Sequence, residues 1–538
     1  MKQFETFELT FEGEKLTKNW AQVDLKATFT DVKGSKTVKG FYAGDGIYKV
    51  RYYPTELGNI SWKVEGVVSS QGSEECVASN SKGKIKAVGT HLEYDNGDIF
   101  YSVGTTVYGL AHQSKELTEE TFKTLSENPF NKVRMCLFPK HYDYNINDPE
   151  FFPFEIAEGQ TYVYERGELF NKKPFLEEKQ KIWDVSRPCF DFWDSFEKKI
   201  DRLASLGIQV DLILFHPYDR WGFNYLGPER NKIYLDYLLR RFSALPNVWW
   251  SLANEYDMCS NISPEEWKSI EKFIGENDPY HHLMSNHNCI TAYDFSGEYI
   301  THCSLQKRTM SLVPEYMERY NKPVLYDECV YEGNLKQTWG ALSGQEMMNR
   351  FWKVTTQGGY CTHGEVFLDM DMEDIDNAVL WWAKGGKLIG TSPKRIAYLK
   401  SIMDEINRPL VPYEGNGFAK LFEGAAKMSP SELENAVPHP FLRMNEYRKN
   451  ASEIELNRHK DAEINYAGHY EDEVFLFYYG TDCCARVDIT LPENHTYKVE
   501  VIDAWNMTRK TFATGVSGTL EVKLSGHEYM AVLATIEK

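Results

Sequence analysis

Nowhere in these 538 residues does an apolar run reach the roughly 20 residues that a bilayer-spanning helix needs. The amino-terminal stretch, Met1-Lys2-Gln3-Phe4-Glu5-Thr6-Phe7-Glu8, lacks the apolar segment of a secretory signal. Charge of one sign never gathers into a long block: 79 acidic and 60 basic side chains are dispersed, for a net charge of −19. That balance argues against nucleic acid or an anionic membrane as a partner. Also missing are His-Glu-x-x-His, a paired Cys-x-x-Cys, a Gly-x-x-x-x-Gly-Lys-Ser/Thr loop, a Gly-x-Gly-x-x-Gly turn and a Gly-x-Ser-x-Gly elbow. His281-His282 are adjacent and cannot easily both face one ion. Neither a metal nor a cofactor is expected. Cysteine is sparse, at ten residues; Cys136, Cys289, Cys303 and Cys329 fall in predicted strands, and Cys483-Cys484 would point to opposite faces of one. These read as thiols rather than a disulfide framework, and with the missing signal they favour a cytoplasmic location. Oligomeric state is left open.

Aromatic residues, by contrast, are plentiful, at 14% within a hydrophobic content of 42%. Rings fill cores and also stack on sugar faces. The length exceeds what one core supports and suggests about three or four domains. Residues up to Val68 alternate apolar and polar, as in Phe7-Glu8-Leu9-Thr10-Phe11 and Val23-Asp24-Leu25-Lys26-Ala27-Thr28-Phe29, with Gly44-Asp45-Gly46 as turn chemistry. This is the pattern of a small β-sandwich. A Ser/Gly/Lys-rich stretch, Ser69 to Gly89, carries no pattern and reads as a link. From Glu473 alternation returns, in Val474-Phe475-Leu476-Phe477-Tyr478-Tyr479 and Val487-Asp488-Ile489-Thr490-Leu491, predicting a second sandwich.

Between them strands alternate with amphipathic helices. Eight strands are predicted, at Ile99–Thr105, Asn131–Phe138, Val210–Phe215, Val248–Ala253, His282–Cys289, Ile300–Leu305, Pro323–Tyr326 and Tyr360–Phe367. Ser263-Pro264-Glu265-Glu266 is a capping box, Ser343 and Glu346 repeat it, and Phe192, Phe196, Ile200 and Leu203 form a stripe ended by Gly207. The fold class is therefore α/β, a (β/α)8 barrel flanked by two small all-β sandwiches, with limits at 1–88, 89–415 and 416–538. The aromatic-rich loop from Lys140 to about Pro188 is the candidate wall over the barrel mouth.

Asn254-Glu255 closes the fourth strand, and Asp327-Glu328 closes the seventh, 73 residues after Glu255. Carboxylates at the carboxyl ends of parallel strands stand where such barrels keep their chemistry. A pair of them suits glycosidic cleavage, in which one protonates the leaving oxygen and the other serves as nucleophile or activates water. Each acid alone is as well explained by a helix cap or a solvated loop. Asp257, Asp327 and Glu332 lie close enough to compete, and Glu332 is the rival nucleophile if the seventh strand runs longer; Glu332-Gly333 reads as loop.

Together with Phe130-Asn131-Lys132-Val133-Arg134-Met135, Phe215-His216-Pro217-Tyr218-Asp219-Arg220-Trp221-Gly222 and Asp327 to Gly333, these motifs resemble the retaining glycoside hydrolases of clan A. The whole organisation resembles their apiosidase-like, multi-domain bacterial relatives. The resemblance implies Glu255 as general acid/base and Glu328 as nucleophile. Asn254 would then bind the hydroxyl beside the anomeric carbon, and Arg134 would keep Glu328 ionised. That clan often places a tyrosine after strand six; here the stretch is His302-Cys303-Ser304-Leu305-Gln306, and Tyr331 is one candidate to replace it.

Other strand ends offer His112 and Gln113, Lys140 and His141, His216, Asp219, Arg220 and Trp221, and His287 and Asn288, with Trp381-Trp382 beyond the eighth strand. Each is as readily a satisfied structural side chain, but as a set on one barrel face they suit a polyhydroxylated, carbohydrate ligand. Two other readings are carried: a barrel that binds sugar without turnover, and a metal-dependent hydrolase. The long wall and the missing signal suggest exo action on small glycosides. Sugar, anomeric configuration and linkage are not legible.

Overall fold

The structure, a computed structural model, describes residues 1–369, 371, 378–413, 429, 431, 450–455 and 466–537. Contacts divide the chain into two units. One is Met1–Arg308 with Tyr320–Met347 and Tyr360–Lys394; the other is Thr309–Arg319 with Met348–Gly359 and Arg395–Lys538.

The first unit begins with a sandwich. Leu25–Asp31 buries Leu25, Ala27 and Phe29 on one face and pairs antiparallel with Gly34–Lys39 and Gly58–Gly66. The facing sheet runs Phe7–Glu12, Ile47–Tyr52, Phe41–Tyr42. Phe29 stacks on Tyr52 between the sheets at 4.1 Å. The supposed link from Ser69 instead contains a strand, Ser70–Cys76, on the edge of the first sheet. Among its side chains only Cys76 is buried, so the segment has no alternation to read. Arg51 ties this sandwich to the barrel helices, bonding Glu197 and the Arg241 carbonyl.

Eight parallel strands follow: β1 (Val103–Thr106), β2 (Lys132–Cys136), β3 (Gln209–Phe215), β4 (Val248–Ala253), β5 (Met284–Ser285), β6 (Cys303–Gln306), β7 (Val324–Glu328) and β8 (Tyr360–His363). Their order is 5-4-3-2-1-8-7-6. The gap between β5 and β6 is bridged by Thr301 N–H to the Met284 carbonyl at 2.9 Å and by the Ser285 hydroxyl to the His302 carbonyl at 2.7 Å. All residues of β2, β3, β4, β7 and β8 are buried, polar side chains such as Lys132, Arg134 and Asp211 included, and β4 reads as a nearly continuous apolar run.

The first strand starts later than expected. Phe100 turns back, its N–H bonding the Leu92 carbonyl, to join the hairpin Ile85–Val88/His91–Tyr94. Ile85, Leu92 and Phe100 pack on Trp249, Leu325 and Tyr360 from the starts of β4, β7 and β8. The hairpin thus plugs the amino-terminal end of the barrel. Helix starts follow the capping residues: the Ser263 hydroxyl accepts the Glu266 N–H at 3.2 Å, and Ser343 does the same for Glu346.

In the second unit Val411–Pro412, Tyr466–Tyr470, Val474–Tyr478, Met530–Ile536, Tyr497–Asp503 and Thr508–Val516 form one sheet in that order. Arg486–Leu491 pairs with Gly518–Lys523. Phe475, Tyr497, Val499, Val522 and Val532 fill the space between. The limit drawn between 415 and 416 lies outside the described residues.

Candidate active site

Glu255 leaves β4 with φ 55° and ψ 56°, a left-handed conformation that costs an L-residue about 1–2 kcal/mol. Neighbours hold it there: its N–H faces His287 Nδ1 at 3.3 Å and its carbonyl accepts the Met258 N–H at 2.9 Å. The carboxylate accepts the Tyr218 hydroxyl on Oε2 and Gln306 Nε2, at 3.1 Å, on Oε1. Asn288 fixes Gln306 through its side-chain amide: Nδ2 donates to the Gln306 carbonyl and Oδ1 accepts the Gln306 N–H, each at 3.3 Å.

Glu328 ends β7, and its Oε1 accepts the hydroxyl of Tyr108, which follows β1. The same phenol oxygen lies 2.9 Å from the Asn254 amide and 3.4 Å from the Tyr331 hydroxyl. The Asn254 atom facing it is Oδ1, so the single phenol proton is offered to two acceptors, Glu328 Oε1 and Asn254 Oδ1. Burial and the Glu255 charge push the Glu328 carboxyl above the ordinary glutamate range, against the pull of Arg134, Lys140 and the Tyr108 hydroxyl. Val330, two residues on, has φ 72°, unfavourable for a β-branched residue. Strained backbone thus flanks both glutamates.

Beneath them lies a charged floor. Asp327 pairs with Lys132 and accepts Ser304 Oγ at 2.5 Å and Thr362 Oγ1 at 3.1 Å. Arg134 reaches Asp211 at 3.1 Å and the Asp327 carbonyl at 3.2 Å. Lys132 and Arg134, by charge, hold the Asp327 carboxyl far below the usual range despite its burial. Arg134 therefore acts on Glu328 through its field and through Asp327; its hydrogen bonds go elsewhere.

The other expected residues divide. Lys140 is buried beside Tyr108, and Asn288 sits behind Gln306. His112, whose Nε2 is 2.9 Å from the Leu137 carbonyl, stacks on Phe192, and Gln113 donates to the Gly109 carbonyl. His216 faces the Phe138 carbonyl at 3.2 Å, and His141 packs edge-on to Trp221. Burial lowers the His112 and His216 imidazoles to about 3 and His141 to about 4, so all are neutral near pH 7. The Asp219 carboxylate accepts the N–H groups of Trp221, Gly222 and Asn224, and Arg220 and Trp221 both bond Asp148. These three build a loop and differ from the ligand contacts expected of them. Trp381 also differs: its Nε1 bonds Thr105 Oγ1 at 2.8 Å, in the core.

The competing acids are fully engaged. Asp257 accepts the N–H groups of Cys289, Ile290 and Thr291. Glu332 accepts those of Thr391 and Ser392, and the Ser392 hydroxyl.

Sequence reasoning missed Tyr108, Tyr218 and Gln306, and set Trp382 level with Trp381. The Trp382 ring lies against Tyr108, Tyr142, Tyr331 and Trp339, and its buried Nε1 has no partner among the described residues. The signal for Tyr108 and Gln306 was position: both stand at the carboxyl edge of a parallel strand. Tyr142, from the wall loop, packs on Tyr218 and Trp382.

Residues 87–403 match the family described as apiosidase-like, catalytic domain. The chain belongs to the apiosidase-like family. Residues 1–66 and 463–535 match two domains of unknown function, DUF5060 and DUF5605. A Bacteroides vulgatus ATCC 8482 protein described as a glycoside hydrolase is 29% identical, over 100% of this chain and 99% of its own, with a TM-score of 0.81. A family 5 glycoside hydrolase of the same organism shares the fold at 15% identity, over 84% of this chain and 93% of its own, with a TM-score of 0.56. No curated protein matches the chain. This apiosidase-like protein is a glycosidase built on a (β/α)8 barrel.

Proposed function

We propose that this enzyme hydrolyses glycosides by retaining double displacement, with Glu328 as nucleophile and Glu255 as general acid/base. One observation carries the reading. The two carboxyls feel each other's charge, and the cations Arg134 and Lys140 offset it at Glu328, where Tyr108 also donates. Double displacement needs Glu328 ionised when it attacks, and Arg134, Lys140 and the Tyr108 hydroxyl all favour that ionised form.

In the first step Glu328 attacks the anomeric carbon while Glu255 gives its proton to the leaving oxygen, and a glycosyl ester forms. In the second, Glu255 takes a proton from water, which displaces Glu328. The Asn254 amide binds the 2-hydroxyl, and the Tyr108 phenol keeps the nucleophile's oxygen in place. Tyr142 and Trp382 form an aromatic wall that suits exo action on small glycosides. Rings at the wall and paired glutamates at the mouth point to a carbohydrate substrate.

Azide rescue on an aryl-glycoside panel tests the assignment. Glu328→Ala with azide yields a glycosyl azide of inverted configuration; Glu255→Ala with azide yields one of retained configuration. Exchange of those two outcomes reverses the roles. Glycan binding with no turnover, unchanged in Glu255→Gln, would leave a sugar-binding protein instead.

A further inference from the structure

Lys140 is buried without a counter-ion in contact. Its ammonium lies 3.6 Å from the centre of the Tyr108 ring, 4.2 Å from Tyr218, 5.0 Å from Trp382 and 5.7 Å from Tyr142. Among the described residues, no hydrogen bond or ion pair to its ammonium accompanies these ring contacts. Ring faces stabilise a cation by about 0.5–2 kcal/mol each but satisfy none of its three N–H donors with oxygen. Those donors need acceptors, and the rings that hold Lys140 are the ones bound to Glu328, through Tyr108, and to Glu255, through Tyr218.

Charge counting identifies the acceptor. Below, Lys132 and Arg134 balance Asp211 and Asp327. At the mouth, the retaining cycle starts with one carboxylic acid and one carboxylate, a single negative charge, and Lys140 supplies one positive charge. His216 and His287 nearby are kept neutral. The site is balanced before substrate enters. A glycone with its own carboxylate would add a buried charge without an opposite, and would draw Lys140 away from the nucleophile.

We propose that Lys140 is a specificity-determining residue whose ammonium donates hydrogen bonds to hydroxyl oxygens of an uncharged glycone while serving as the counter-charge of Glu328. The inference rests on the retaining reading above. Glu328 is faced by Glu255 from β4, Arg134 from β2, Lys140 beyond β2, Tyr108 beyond β1 and Tyr331 beyond β7. Of these, Lys140 is the cation without a carboxylate partner among the described residues.

The test uses the full-length enzyme with 4-nitrophenyl hexosides and the matching hexuronides, in gluco, galacto and manno forms of both anomers. The wild type is expected to turn over its best hexoside at least about tenfold faster, in kcat/KM, than the matching uronide. Lys140→Met is expected to raise KM about tenfold, the loss of hydrogen bonds to a charged group. It should also move the acid limb of the kcat/KM profile up by about one pH unit, as a counter-charge is lost. Lys140→Arg, which keeps the charge, should leave that limb in place, a rescue that a merely structural lysine would not require. A preferred uronide, or an unmoved acid limb in Lys140→Met, overturns the proposal while leaving the glutamate roles intact. Unimpaired hydrolysis in Glu255→Ala or Glu328→Ala, or no turnover of any glycoside, removes the underlying reading and this proposal with it.

Discussion

The hydroxyl of Tyr108 is bound to the carboxylate of Glu328, joining the loop after β1 to the end of β7 with β8 lying between. Neither residue is near the other in sequence, and each is buried. The contact fixes one carboxyl oxygen of Glu328.

Tyr108→Phe removes that hydrogen bond and keeps the ring under Lys140. A hydrogen bond to a charged group contributes about 1.5–3 kcal/mol, so kcat/KM should fall roughly 10- to 100-fold. The fall should appear mainly in kcat, with the melting temperature little changed. Steady-state kinetics and thermal unfolding of the same preparation separate the two.

Asp327→Asn acts on the floor rather than the mouth. It leaves Lys132 and Arg134, both buried, facing Asp211 alone. Breaking a buried ion pair from one side costs about 3–5 kcal/mol, and the denaturant midpoint should drop accordingly. Asp257→Asn, in an exposed loop contact, should cost far less.

Acid should weaken the first unit in a defined window. Asp278, bonded to His282 and to Trp250 Nε1, is held well below the usual carboxylate range by His282 and these hydrogen bonds, although burial opposes them. Asp327 is likewise depressed. A depressed folded-state value contributes stability that is complete above the unfolded value, about 3.9, and lost as pH falls below it. Urea midpoints measured from pH 6 down to pH 3 should therefore fall steeply below about pH 4, and Asp278→Asn should flatten part of that slope.

The two adjacent tryptophans should part company. Trp382→Phe thins the aromatic wall and deletes an unpartnered N–H, so KM should rise several-fold with modest loss of stability. Trp381→Phe loses the hydrogen bond to Thr105, costing about 1 kcal/mol of stability with kinetics near the wild type.

The barrel was legible because its strands are largely buried on both faces and two of them, β4 and β7, lead into glutamates. The same burial hid their limits: Ile99 and Phe100 look like strand, yet Phe100 serves the floor hairpin. Ser70–Cys76 was illegible because an edge strand that buries one residue shows no period. Within the site, Glu255, Glu328, Asn254 and Lys140 stood out as polar residues after apolar runs. Tyr108 and Tyr218 did not, since a tyrosine in an aromatic-rich chain reads first as core. Asp219, Arg220 and Trp221 also follow an apolar run, and the structure shows what pattern alone could not: Asp219 accepts its own loop's N–H groups, and Arg220 and Trp221 bond Asp148.

The most direct test of the double displacement is the configuration of the sugar first released, followed by proton NMR before mutarotation. The wild type, acting on its best aryl glycoside, should give the anomer of the substrate. Initial release of the opposite anomer would mean that water, not Glu328, attacks the anomeric carbon, and would contradict the account.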